Sequence, residues 1–116
     1  MSELKSTISA SVSGPVITLT GEADLSTAAD LGELLNAQLE AEDTTLLTLD
    51  VSQLSFIDSM AVRLLIMGAR VLRERGGTLV LRHPREDVAR VLELMGVYQL
   101  ITVQGRAHGD SGTDTS

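Results

Sequence analysis

Cysteine and tryptophan are absent from the chain, and its only large aromatic side chains are Phe56 and Tyr98. Without thiols there can be no disulfide framework, thiolate nucleophile or cysteine metal site. Two widely separated histidines, His83 and His108, do not make a histidine metal site, so no metal and no cofactor are expected. The scarcity of aromatics removes the stacking platforms that hold single-stranded nucleic acid. Basic side chains are also few: 9 Lys and Arg against 16 Asp and Glu give a formal net charge of −7. Phosphate-backbone binding needs the opposite balance, so protein or small-ligand partners are expected and direct nucleic-acid binding is not. No apolar run approaches a membrane span, and Met1-Ser2-Glu3-Leu4-Lys5 lacks the charged-then-apolar profile of a secretory signal. The expectation is a cytoplasmic protein with no membrane insertion.

What is present is aliphatic. Leu, Val, Ile and Ala supply most of the 43% apolar content of 116 residues, enough for one closely packed domain. Ser6 to Val12 alternates, with Ile8, Ala10 and Val12 on one face, and predicts a half-buried strand. Ser13-Gly14-Pro15 turns the chain into a second strand, Val16 to Thr20, completing a hairpin. Gly21-Glu22-Ala23-Asp24 ends that strand. Ser26 or Thr27 can cap a helix from about Thr27 to Ala41, Thr27 and Asp30 having capping-box spacing, with Leu31, Leu34, Leu35 and Leu39 on its apolar face.

Thr45 to Val51 reads as a central strand, followed by a polar elbow and a helix from Asp58 to about Arg75. Val62, Leu65, Ile66, Ala69 and Leu72 form its buried face; Arg63, Arg70 and Arg73 form a solvated stripe. Gly76-Gly77 stops it. A short strand, Thr78 to Arg82, leads to a helix with Pro84 at N1, Glu86 and Asp87 in its first turn and Val88, Val91, Leu92 and Met95 inward, ended by Gly96. Leu100 to Val103 is a last strand. The order predicts an α/β sandwich: a mixed, mostly parallel sheet of about five strands with three to four helices packed on it. The domain should span 1–104, with 105–116 a disordered acidic tail.

The elbow is where chemistry concentrates. Asp58 or Ser59 caps the helix, which puts the Ser59 hydroxyl at its positive end, beside unpaired backbone donors. A phosphoryl group there would bring a charge of about −1.5 to −2 to a site able to accept it. An ordinary N-cap accounts for the same residue types. Nucleophilic catalysis by Ser59 is the poorer reading: Gly-x-Ser-x-Gly is missing and His83 is the only base candidate within the expected fold. Glu22 and Asp24 suggest a carboxylate pair, though a solvated rim explains them as simply. Asp24 and Asp58 both follow apolar strands and should approach one sheet edge, where α/β proteins bind ligands and partners. No P-loop, dinucleotide fingerprint, EF-hand or zinc motif is present.

Gly21-Glu22-Ala23-Asp24, the helix opening near Thr27-Ala28, Leu49-Asp50-Val51-Ser52 and Phe56-Ile57-Asp58-Ser59 together resemble a STAS domain of the anti-sigma factor antagonist type, from about Ser6 to Val103. The resemblance implies a non-enzymatic, bacterial partner-switching protein. Its unphosphorylated form would bind an anti-sigma factor that is also a serine kinase and so free the sigma factor. Ser59 would be the phosphorylated serine, restored by a phosphatase, with ATP and magnesium held by the kinase. Asp58 would shape the site, and Glu22 and Asp24 would belong to the partner-facing surface. Where the family commonly continues Ser-Gly-Leu-Gly, this chain has Met60-Ala61-Val62-Arg63, which places bulk and charge at the partner contact. Arg63, at i+4 from Ser59, is positioned to pair with a phosphate there, or to be an ordinary solvent-exposed arginine. The departure also fits a STAS module used for ligand sensing or as an accessory subunit of a membrane transporter.

Overall fold

The computed structural model describes residues 2–105. The chain runs β1 (Leu4–Ser11), β2 (Gly14–Ala23), α1 (Ala28–Leu39), β3 (Leu46–Ile57), α2 (Ser59–Glu74), β4 (Thr78–Arg82), α3 (Glu86–Leu94), β5 (Thr102–Gln104), with 3-10 turns at Leu25–Thr27 and Val97–Gln99. The strands form one sheet in sequence order; β1 and β2 are antiparallel and the other pairs parallel. This is the mixed, mostly parallel five-stranded α/β arrangement that the periodicities predict. Of the expected tail only Gly105 is described; the rest, with His108, lies outside the described residues.

One face of the sheet makes the core. Ile17, Leu19, Leu47, Leu49, Leu79 and Leu81 are each at most 1% exposed. They share a single apolar cluster with Leu31 and Leu35 of α1, Val62, Leu65 and Leu72 of α2, and Val88 and Leu92 of α3. All three helices therefore cover the same face, and each large aliphatic side chain buried there contributes about 1.5–3 kcal/mol. The alternate residues, among them Thr7, Thr18, Asp50, Arg82 and Gln104, line up across the strands on the other face. That face is polar and mostly open to water, with only Thr48 and Val80 buried at its centre. No aromatic ring enters the core: Phe56 and Tyr98 are both exposed.

Several local expectations are corrected. The strand expected over Ser6 to Val12 runs Leu4–Ser11; Val12 lies in the turn, and Ile8 is 51% exposed. Ile8 is paired opposite the buried Ile17, but β1 lies beyond the helical layer, so its alternation reports pairing rather than burial. Helix α1 begins at Ala28, and the Thr27 side chain accepts no capping bond from it; the cap is Asp24, at the head of the 3-10 turn. Pro84 precedes α3 by two residues instead of occupying N1, and Met95 is exposed beyond its end. The last strand is Thr102–Gln104 rather than Leu100 to Val103, because the turn at Val97–Gln99 first delivers Ile101 to the core. Gly76 does adopt the left-handed conformation, φ 75°, that ends α2.

Helices α1 and α2 lie side by side and run in the same direction. Their C-terminal ends are joined by Arg75, whose guanidinium donates to the carbonyls of Leu39 at 2.6 Å, Ala41 at 3.2 Å and Thr44 at 3.4 Å. The Leu39 carbonyl closes the last turn of α1, where helical donors run out, and a charged donor satisfies it; the Ala41 carbonyl also accepts the Thr44 amide at 2.9 Å. Arg75→Ala should lower unfolding free energy by about 2 kcal/mol, the range of a hydrogen bond to a charged group, as measured by urea denaturation. Arg75→Lys, lacking the forked donor, should recover only part of it.

Candidate functional site

The site is built by β3, which is longer than its hydrophobic alternation suggests. Instead of giving way to an elbow after Val51, it continues to Ile57 beside β2. Its register with β2 jumps twice: Thr18 faces Asp50 but Thr20 faces Gln53, and Gly21 faces Leu54 but Glu22 faces Phe56. Each jump is a bulge with one extra residue on β3. Core positions consequently step from Leu49 and Val51 to Leu54 and Ile57, three apart instead of two. Polar residues of the supposed elbow hold these bulges. The Ser52 amide and hydroxyl donate to Asp50 at 3.0 and 2.7 Å, and the Ser55 hydroxyl donates to the Gly21 carbonyl at 3.1 Å. Although burial pushes the Asp50 carboxyl up, the Ser52 bonds and nearby Arg82 outweigh it and hold Asp50 below the usual carboxylate range.

The bulges bring Ala23 and Ile57 level, and the Asp58 amide donates to the Ala23 carbonyl at 3.0 Å. Asp24 and Asp58 thus leave adjacent parallel strands at one edge, as expected, and both are helix caps. Asp58 accepts from the Ala61 amide at 3.0 Å. Asp24 accepts from the amides of Ser26 at 2.9 Å and Thr27 at 3.3 Å, while the Thr27 hydroxyl accepts from the Asp24 amide at 3.0 Å. The hydroxyls of Ser2 and Ser26 also donate to Asp24. These bonds, that of Ser2 foremost, hold its carboxyl below the usual range. With Leu25, the four residues Ser2, Asp24, Ser26 and Asp58 line an open cleft.

Ser59 is the first residue of α2 and is exposed, and its hydroxyl has no hydrogen-bond partner among the described residues. Met60 and Arg63 are exposed on the same helix, Arg63 one turn beyond Ser59. Glu22 is half-buried and paired opposite Phe56 on the open sheet face. It therefore does not form a carboxylate pair with Asp24, whose oxygens are occupied by capping. His83 lies at the end of β4, where its Nδ1 is 3.1 Å from the Gly105 carbonyl oxygen, and no hydrogen bond joins it to Ser59. Among the described residues no group of three or more metal-ligating side chains converges, and no helix is long and apolar enough to cross a membrane.

Ser2 and Leu25 are the residues that sequence reasoning missed, and Ser26, expected as a possible cap, instead donates to the Asp24 cap. Asp24-Leu25-Ser26-Thr27 does carry capping-box spacing, and reading the box one turn earlier would have found the Asp24 cap. Nothing local marks Ser2, which reaches Asp24 only through the β1–β2 pairing.

The fold and these paired strand-end caps define a STAS-type α/β domain. A family model described as "Mlab, STAS domain" matches residues 6–102, and the chain belongs to the STAS domain family. Solved structures are similar to it. An anti-sigma factor antagonist from Mycobacterium paratuberculosis has 20% identity over 88% of this chain and 86% of its own, with a TM-score of 0.77. The anti-sigma factor antagonist SpoIIAA in its unphosphorylated form has 22% identity over 85% and 87%, at 0.73. The Bacillus cell fate determinant SpoIIAA in the phosphorylated form has 21% identity over 85% and 90%, at 0.66. At these identities the likeness is one of fold.

A carboxyl held below its ordinary value stabilises the native state above that value, and the contribution is lost as pH falls through the native one. Asp24→Ala should therefore melt below wild type at pH 7, and the gap should narrow as pH falls below about 4. A gap of equal size at pH 7 and pH 3 would remove the charge of Asp24 from the account.

Proposed function

We propose that this protein is a non-enzymatic anti-sigma factor antagonist that works as a phospho-switch. Unphosphorylated, it binds an anti-sigma factor serine kinase through the edge formed by Asp24, Asp58 and α2, and the sigma factor is released. Phosphorylation of Ser59 ends the complex, and a phosphatase restores it. The observation that carries this reading is Ser59 itself, exposed and without a hydrogen-bond partner for its hydroxyl among the described residues, directly after the Asp58 cap at the carboxyl end of β3. The likeness to an antagonist solved in both unphosphorylated and phosphorylated forms supports it.

Two capping carboxylates already stand at this edge. A phosphoryl group on Ser59 adds charge that the first turn of α2 can accept when exposed to water. Burying that charge against a partner is costly, because desolvation is then uncompensated. The same group is thus tolerated in the free protein and disfavoured in the complex. ATP and magnesium belong to the kinase in this scheme.

A second reading, a STAS module for ligand sensing or an accessory subunit of a membrane transporter, draws on Met60 and Arg63. Both are exposed beside Ser59, where the antagonist pattern has small residues. Co-purification with a transporter ATPase, without phosphorylation by any anti-sigma kinase, would favour it.

Incubation with anti-sigma kinases and ATP, followed by mass spectrometry, should map phosphate to Ser59. Ser59→Ala should bind the kinase constitutively and resist phosphorylation, whereas Ser59→Asp should lose binding by about tenfold or more. Retained binding by Ser59→Asp, or phosphate still incorporated in Ser59→Ala, would exclude Ser59 as the switch. Arg63 is expected to steady the phosphorylated state. Phosphorylated Arg63→Ala should therefore be dephosphorylated faster than phosphorylated wild type, and equal rates would dismiss the pairing.

A further inference from the structure

Between α1 and α2 lies an open apolar groove whose floor and walls include Gly32, Leu35 and Leu39 on one side and Leu64, Met67 and Val71 on the other. Met67 is 60% exposed and Val71 37%. With Met60 and Leu64 they fall at successive three- and four-residue steps, a stripe along the shoulder of α2 that faces α1. Gly32 sits in the interior of α1, where glycine is disfavoured relative to alanine. Its own chain gives no reason for it: a Cβ added there would meet nothing within 4 Å. The groove is therefore deepened at a point that only something from outside can use.

The charges on its two rims indicate what that is. Glu33 and Glu40 stand two turns apart on the α1 rim, and Arg63 and Arg70 stand two turns apart on the far shoulder of α2, a repeat of about 10 Å in each case. All four are exposed, and none belongs to an ion pair among the described residues. Glu74 closes the basic ridge one turn beyond Arg70. The helices run the same way, because the strand ends that lead into them are joined by the Asp58–Ala23 bond and their C-terminal ends by Arg75.

We propose that a second copy of this chain docks on this groove, about a two-fold axis running along it. That operation lays α1 of each protomer over α2 of the other and keeps heights along the helices unchanged. Glu33 and Glu40 then meet Arg63 and Arg70 of the second copy, in register at both contacts. An axis across the groove would instead set each acidic pair against itself. The two apolar stripes meet at the axis. Met67, which as a helical side chain leans toward its own N-terminus, fills the depression over Gly32 of the other protomer. Arg63 is shared with the phospho-switch reading, so a phosphate on Ser59 would compete for one of the two contacts and leave that of Arg70 in place.

Sedimentation equilibrium on the full chain tests it, with circular dichroism to establish that each variant is folded. Wild type should sediment as a dimer. One variant, Glu33→Arg with Glu40→Arg, makes both ridges basic; another, Arg63→Glu with Arg70→Glu, makes both acidic. Each alone should lose association by about tenfold or more through like-charge contact, and an equimolar mixture should recover a dimer. Gly32→Ala, whose added methyl meets nothing within 4 Å in the monomer, should also weaken association. A wild type that stays monomeric at every concentration overturns the proposal, as do charge-reversed variants that associate as well as wild type or a mixture that does not recover.

Discussion

Everything at the functional edge depends on β2 and β3 ending at the same height. They enter the sheet in register at Val16 and Thr48, yet β3 spends two more residues than β2 in reaching its end. The two bulges absorb that difference, and the bond from the Asp58 amide to the Ala23 carbonyl closes the account of backbone donors at the edge. Were β3 regular, Ile57 and Ala23 would not lie side by side in the core, and the caps of α1 and α2 would face different surroundings. The shared edge is thus a property of strand register before it is a property of any acidic side chain.

Because both carboxylates are engaged as caps, the edge is organised without being saturated. Their oxygens are bonded to amides and, at Asp24, to hydroxyls as well, which fixes their positions and holds the Asp24 carboxyl below its usual range. The serine between the second cap and the body of α2 has no such obligation. The capping carboxylates are thus anchored, the Ser59 hydroxyl has no partner among the described residues, and the only described histidine is held to the Gly105 carbonyl just beyond β5.

Much of the scaffold was legible because it is local. The leucine spacing of α1, the buried face of α2 and the stops at Gly76 and Gly96 are written in contiguous residues, as is the Asp58 cap. What was not legible depends on contacts distant in sequence. The extension of β3 was hidden because bulges break the period of two on which strand reading relies, and the serines that satisfy the bulges look like loop. Ile8 and Met95 were placed inward because periodicity tells which residues share a face and not whether anything covers it. Arg75 reaches carbonyls more than thirty residues back along the chain, and no spacing rule signals that. The Asp24 cap lay within reach of a local rule, but the helical pattern drew the reading one turn too late.

The hold of Ser2 on Asp24 gives the edge an unequal footing. Its N-terminal brace consists of Ser2 and of the Glu3 carbonyl, which accepts the Glu22 amide at 2.9 Å. Both lead directly into β1, a strand exposed along nearly its whole length. Segments with so little buried surface open at a fraction of the global unfolding free energy. The carboxylate at one side of the edge is therefore braced, beyond its own cap, by a segment with little buried surface, while Asp58 is fastened to a central strand and a long helix. Amide exchange at Glu22 and at Asp58 should report these two stabilities separately, and a partner that captures β1 in its open form would meet Asp24 released from Ser2 with the core intact.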